Sequence, residues 1–115
     1  MSNIVVPPYI VIPLSNGQTV YLQPNINKVV FVTPSTGATI TIYLPAGPYD
    51  GQEVRFLCYN PSSANDITAT ILPQSSASVY IPQGNPIRID VGGTSTLGSF
   101  SGFTFIGELN TWVQG

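Results

Sequence analysis

Apolar and polar residues alternate with a period of two along most of the chain. In Thr39–Leu44, for example, Ile40, Ile42 and Leu44 fall on one side of an extended backbone. The same alternation recurs in runs rich in β-branched and aromatic residues, which favour pleated strands. The predicted strands are Ile10–Ser15, Gln18–Leu22, Lys28–Thr33, Thr39–Leu44, Glu53–Tyr59, Ile67–Leu72, Ile87–Val91 and Phe103–Ile106. Nothing in the sequence shows the apolar spacing of an amphipathic helix, so the chain is predicted to be all-β.

Turn-forming residues separate these runs. Asn16-Gly17 stands between the first two strands, where it predicts a hairpin because both positions of a tight hairpin turn require positive φ. Further turns rich in Gly, Pro, Asn and Ser follow the later strands. About eight or nine short strands with this punctuation predict an antiparallel β-sandwich, with a jelly-roll-like fold or a β-barrel as the forms expected.

The beginning of the chain differs from the rest in its proline content. Prolines within residues 1–26 exclude a central strand over the whole segment, because proline donates no backbone hydrogen bond. The segment is therefore predicted to be an extended N-terminal arm for attachment, with an integral strand pair as the alternative, and residues 27–115 to be the β-domain. The attachment residues expected in the arm are Val5, Val6, Pro7, Pro8, Tyr9 and Ile10.

Several predicted strands are apolar on both faces. Val29–Val32 is continuous, and Leu57 and Tyr59 lie out of phase with the core-facing Val54 and Phe56. Strands of this kind are usually covered on both sides, and a chain of 115 residues has little material of its own to cover a second face. A second subunit is therefore expected to cover it. The interface residues predicted are Val30, Val32, Leu57, Tyr59, Phe103 and Phe105.

The composition of the chain argues against several classes of function. The chain has no His and one Cys, which excludes His-based catalysis, a His-ligated zinc site and an intramolecular disulfide. Only 7% of its residues are charged, against about 25% in an average domain. Three scattered cations and a net charge of −2 argue against nucleic-acid binding, and no apolar run is long enough for a transmembrane helix. We expect no membrane or nucleic-acid partner.

The remaining polar and aromatic candidates are better explained by structure than by chemistry. Asp50 and Glu53 flank a turn, and the Gly92–Thr96 run lacks the lysine and helix of a phosphate loop. Cys58 is in phase with the core. We therefore expect no enzyme activity, no metal and no cofactor. Tyr49, in a turn, is the candidate contact for a glycan, since aromatic rings stack on sugar faces.

Two stretches resemble a known class of proteins. Residues 39–59 contain the runs TITIYLP and DGQEVRF, and residues 99–113 end in FTFIGELNTWV. These resemble the strand, Leu-Pro, Asp-Gly, strand pattern and the closing Asn-x-Trp hairpin of small β-domains in tailed-phage virion proteins. The resemblance covers roughly residues 28–113.

The resemblance implies a structural role. It implies a homotrimeric capsid decoration (cement) protein at the virion surface, assembled in the host cytoplasm, whose N-terminal segment attaches to the major capsid protein or another virion protein. The alternative is a head or tail fibre or spike module that binds a host-surface glycan. No catalytic residues are implied.

Overall fold

The computed structural model describes residues 9–32, 37–59, 66–82, 84–90 and 102–115, and these form ten β-strands and one short 3₁₀ turn. The strands are β1 Ile10–Pro13, β2 Thr19–Tyr21, β3 Lys28–Val32, β4 Ala38–Tyr43, β5 Glu53–Tyr59, β6 Asp66–Leu72, β7 Ser78–Tyr80, β8 Ile87–Asp90, β9 Gly102–Ile106 and β10 Thr111–Gln114. The turn is η1, Gly107–Leu109. The prediction of an all-β chain is confirmed.

Two mixed sheets enclose the core. Sheet A has the order β1-β3-β5-β9-β10-β7, and sheet B has the order β2-β4-β6-β8. From β1 to β6 the chain crosses to the other sheet after every strand. Each return to a sheet therefore starts from the same end, and β1-β3-β5 and β2-β4-β6 run parallel.

The antiparallel arrangement predicted from the sequence is wrong for these first six strands. Antiparallel pairs occur between β6 and β8, between β5 and β9, and between β9 and β10. A jelly roll or a closed barrel is not confirmed, since each sheet has two edge strands within the described residues.

The predicted hairpin at Asn16-Gly17 is also wrong, because β1 and β2 belong to different sheets. Gly17 has a φ of 84°, but this turn hydrogen-bonds to β4 rather than closing a strand pair. The Gly17 amide donates to the Thr39 carbonyl at 2.8 Å, and the Thr39 amide donates to Asn16 Oδ1 at 2.9 Å. The turn is thus held against β4 of sheet B and does not join two paired strands.

The core lies between the inner faces of the two sheets. Phe31, Phe56 and Phe103 form edge-to-face pairs along sheet A, with ring centroids 5.3 and 5.9 Å apart. Phe105 packs in the same way on Trp112 of the neighbouring strand, at 5.4 Å. Opposite them, sheet B buries the alternating residues predicted from its sequence, Ile40, Ile42, Ile67, Ala69 and Ile71. Each fully buried apolar side chain of this size contributes about 1.5–3 kcal/mol.

The described part of the segment 1–26 belongs to both sheets. It supplies β1 and β2, and it buries Leu14, Val20 and Leu22 in the core. Residues 1–8, which carry most of the predicted arm, lie outside the described residues.

Candidate functional site

The outer face of sheet A carries two consecutive rows of apolar side chains. Val11, Val30 and Leu57 are directly opposite one another on β1, β3 and β5. The next outward row consists of Pro13, Val32 and Tyr59. We call these six residues the apolar patch. Val11 is 53% exposed and Tyr59 58%, so the patch lies largely in contact with solvent.

A cationic row borders the apolar patch. Lys28 of β3 lies directly opposite Arg55 of β5, on the same outward face. Like charges in this position repel each other. Within the described part of the chain neither of them forms an ion pair, and two open depressions of about 220 and 270 Å³ adjoin Arg55. Two of the three cations in the protein are thus concentrated on one row, which corrects the expectation that they are scattered.

Carboxylates follow on the other side of the cationic row. Glu53 lies one outward position before Arg55 on β5, opposite Thr104. Asp50 Oδ1 accepts a hydrogen bond from the Gly107 amide at 2.8 Å, which holds the turn before β5 against η1. Glu108 is the next residue of η1 and is exposed. We call Asp50, Glu53 and Glu108 the acidic end of sheet A.

A second apolar region lies on the same face beyond β9. Tyr80, Leu109, Thr111 and Val113 line an open groove of about 470 Å³ on β7, η1 and β10. Val113 is opposite both Thr104 and Tyr80, which continues the outward row that begins at Glu53. The apolar groove therefore adjoins the row of Glu53, whereas the apolar patch adjoins the row of Lys28 and Arg55.

The outer face of sheet B has a different character. Its described outward residues on β2, β4 and β6 are mainly threonines. At one end Tyr21 stacks on Tyr43, with ring centroids 4.6 Å apart and planes 8° apart. Tyr49, the predicted glycan contact, is 61% exposed and is not part of this pair.

Only two of the six predicted attachment residues are among the described residues, whereas four of the six predicted interface residues lie together on the outer face of sheet A. Tyr9 is exposed and Ile10 half-buried, whereas Val5, Val6, Pro7 and Pro8 lie outside the described residues. The interface residues Val30, Val32, Leu57 and Tyr59 are all in the apolar patch.

Two predicted interface residues need correction. Phe103 and Phe105 are 1% and 7% exposed, and their rings pack inside the core, so they offer no surface to a partner. Phe103 and Phe105 alternate with Thr104 as predicted, but they lie on the inner face of sheet A and not on its outer face.

The apolar groove and the pairing of Lys28 with Arg55 were not predicted. The out-of-phase Leu57 and Tyr59 gave the signal for the apolar patch. No comparable signal exists for Lys28 and Arg55, because only the parallel pairing of β3 with β5 brings them together.

The acidic side chains and the single thiol are the remaining candidates for chemistry in the described residues. They contain no group of three or more His, Cys, Asp or Glu side chains placed to hold a metal ion. Burial raises the pKa of the Cys58 thiol to about 11, which keeps it protonated and a weak nucleophile at neutral pH. Nor is there, in this part of the chain, a helix long and apolar enough to cross a membrane.

Comparisons with protein-family models, with curated proteins and with solved structures find no match to this chain.

Proposed function

We propose that this chain is a structural virion protein, a capsid decoration (cement) protein that assembles as a homotrimer at the virion surface. The observation that carries the proposal is the apolar patch. Its six residues lie on three parallel strands and contain no charge. Apolar patches of this kind on a small protein mark surfaces that another chain covers.

The physical properties of the rest of the chain support a structural role rather than catalysis. The sequence has no His, its one Cys has a raised pKa, and charge is scarce throughout. The resemblance of residues 39–59 and 99–113 to small β-domains of tailed-phage virion proteins supplies the class. The partner proposed is the major capsid protein or another virion protein.

Mass measurement and co-sedimentation test this proposal. The purified protein is expected to have three times the 12.2 kDa mass of one chain and to co-sediment with capsids that lack it. Leu57→Asp, which places a charge in the apolar patch, is expected to weaken assembly or attachment, whereas Thr19→Asp on the outer face of sheet B serves as the matched control. A monomer without affinity for capsids would exclude the proposed role.

A second candidate function is a fibre or spike module that binds a host-surface glycan. The stacked pair of Tyr21 and Tyr43 favours it, since an exposed aromatic platform among threonine hydroxyls suits a sugar ring. A glycan array screened with the wild type, Tyr21→Ala and Tyr49→Ala tests it. Binding lost only in Tyr21→Ala would assign the glycan to sheet B, and binding lost only in Tyr49→Ala would assign it to the turn before β5. An array without binding excludes this candidate.

A further inference from the structure

The charges on the outer face of sheet A are arranged in adjacent regions of opposite sign. Lys28 and Arg55 form one row, and the acidic end begins with Glu53 in the next row. All three side chains point to the same face, but neither cation is ion-paired with Glu53 within the described residues. Two cations that face each other in this way repel, so any partner that brings carboxylates to them stabilises them.

The same face carries two apolar regions. The apolar patch is formed by outward side chains of β1, β3 and β5, and the apolar groove is an open depression on β7, η1 and β10. The cationic row borders the patch, and the row of Glu53 leads through Thr104 to Val113 of the groove. Each apolar region therefore has charge of a different sign beside it.

From this arrangement we infer that the partner of the apolar patch is the apolar groove of a second copy of the same chain. The cations border the patch, and Glu53 lies in the row that continues into the groove. Laying the patch of one copy in the groove of the next therefore brings Lys28 and Arg55 of the first copy towards Glu53 of the second. Each contact pairs cations with a carboxylate, and in a closed ring every copy has both its patch and its groove covered.

This contact rests on the self-assembly proposed above and specifies how it occurs. A patch-to-groove contact joins unlike surfaces, so it closes into a ring when the rotation between copies permits. The number of copies in that ring follows from the mass measurement. The contact itself is tested by exchanging charges.

Two variants, Arg55→Glu and Glu53→Arg, each reverse the charge at one of the two positions that face each other between copies. Each variant alone is expected to associate about tenfold more weakly than the wild type, or worse, because positions 55 and 53 then carry like charges across the contact. An equimolar mixture of the two is expected to regain association, since position 55 of one variant and position 53 of the other carry opposite charges. Sedimentation equilibrium measures all three, and circular dichroism checks that each variant is folded.

Matched controls separate this contact from a general effect of charge. Thr19→Asp, on the outer face of sheet B, is expected to associate like the wild type. Leu109→Asp changes an exposed residue of the apolar groove and is expected to abolish association without loss of fold. It keeps the inference testable if either substitution in β5 prevents folding.

The outcomes distinguish this inference from the proposed function. Wild-type association in Arg55→Glu and Leu109→Asp, or a mixture that remains dissociated, overturns the patch-to-groove contact. A wild-type monomer that still co-sediments with capsids also overturns it, and in that case assigns the apolar patch to the capsid and leaves the virion role standing. A monomer that binds no capsid overturns both.

Discussion

Gly102→Ala is expected to destabilise the protein strongly, because Gly102 is the described glycine at which an added Cβ would meet the closest backbone atoms. Gly102 begins β9 opposite Arg55 of β5, with a φ of 125°. A Cβ at this position would overlap the Val54 carbonyl oxygen and would lie 2.9 Å from the Arg55 Cα. Both neighbours are backbone atoms of the adjacent strand, so no side-chain rotation relieves the overlap.

Two costs add in this variant. A side chain at such a φ costs about 1–3 kcal/mol in backbone strain. Separating β5 from β9 to admit the methyl group costs about another 1–3 kcal/mol, as overpacking does in other cores. The expected loss of unfolding free energy is therefore about 2–6 kcal/mol, a large share of the roughly 5–15 kcal/mol that stabilises a typical domain.

Gly84→Ala is the matched control. Gly84 also has a positive φ, 84°, but its Cβ would meet no atom within 4 Å, so only the conformational cost of about 1–2 kcal/mol remains. Urea unfolding followed by the fluorescence of Trp112 measures both, since this single Trp is fully buried on β10 beside β9. Equal losses within about 0.5 kcal/mol in the two variants would refute the close approach of β5 and β9.

Three further predictions concern the core, the thiol and the first two strands. Trp112→Phe is expected to change the unfolding free energy by less than about 1.5 kcal/mol, because the lost volume is offset by removal of the buried indole Nε1, which has no hydrogen-bond partner among the described residues. A loss above about 3 kcal/mol in urea unfolding followed by circular dichroism would show that this donor is satisfied in solution. Burial raises the pKa of Cys58 from 9.0 to about 11, so its contribution to stability is complete below pH 9.0 and is lost as the pH rises to about 11. Cys58→Ala should remove that part of the alkaline loss, and a wild type and variant with parallel pH profiles would contradict the assignment. Deletion of residues 1–24 removes the buried Leu14, Val20 and Leu22 and is expected to yield an unfolded or insoluble protein; a folded, monodisperse truncation would show that β1 and β2 are dispensable.

The sequence was sufficient to find most strands and, in several of them, to tell which side faces the core; in β9 the core-facing Phe103 and Phe105 were assigned to an interface instead. Alternation in Glu53–Tyr59 identified Val54 and Phe56 as buried, and both are. This succeeds because the face of a residue depends on its immediate neighbours in the strand. β7 was missed because Ser78–Tyr80 is three residues long and lies between turn residues.

Which strands pair with each other could not be predicted from the local pattern of residues. Asn16-Gly17 has the composition of a hairpin turn, but the chain at this point passes between sheets, and the bonds from Gly17 and Asn16 go to Thr39. A turn sequence specifies positive φ, and it does not specify which strand accepts the hydrogen bonds. The sequence therefore predicted those residues of the candidate surface that follow from alternation within one strand, such as Leu57 and Tyr59. It did not predict features that depend on strand pairing, such as Lys28 opposite Arg55.

The alternation of the chain between the two sheets has a consequence for the rate of folding. From β1 to β6, no strand pairs with the one that follows it, and paired positions such as Ile10 and Val29, or Val29 and Phe56, are roughly twenty to thirty residues apart. Loops of that length must close before any parallel pair forms, which favours folding in milliseconds to seconds. Among the described strands, the β9–β10 hairpin is the pair with the shortest connection. The strand β5 pairs with β9, which is about fifty residues further along the chain. A nascent chain therefore leaves this side of β5 unpaired until β9 has been synthesised, and slow translation or high concentration at that stage is expected to promote aggregation.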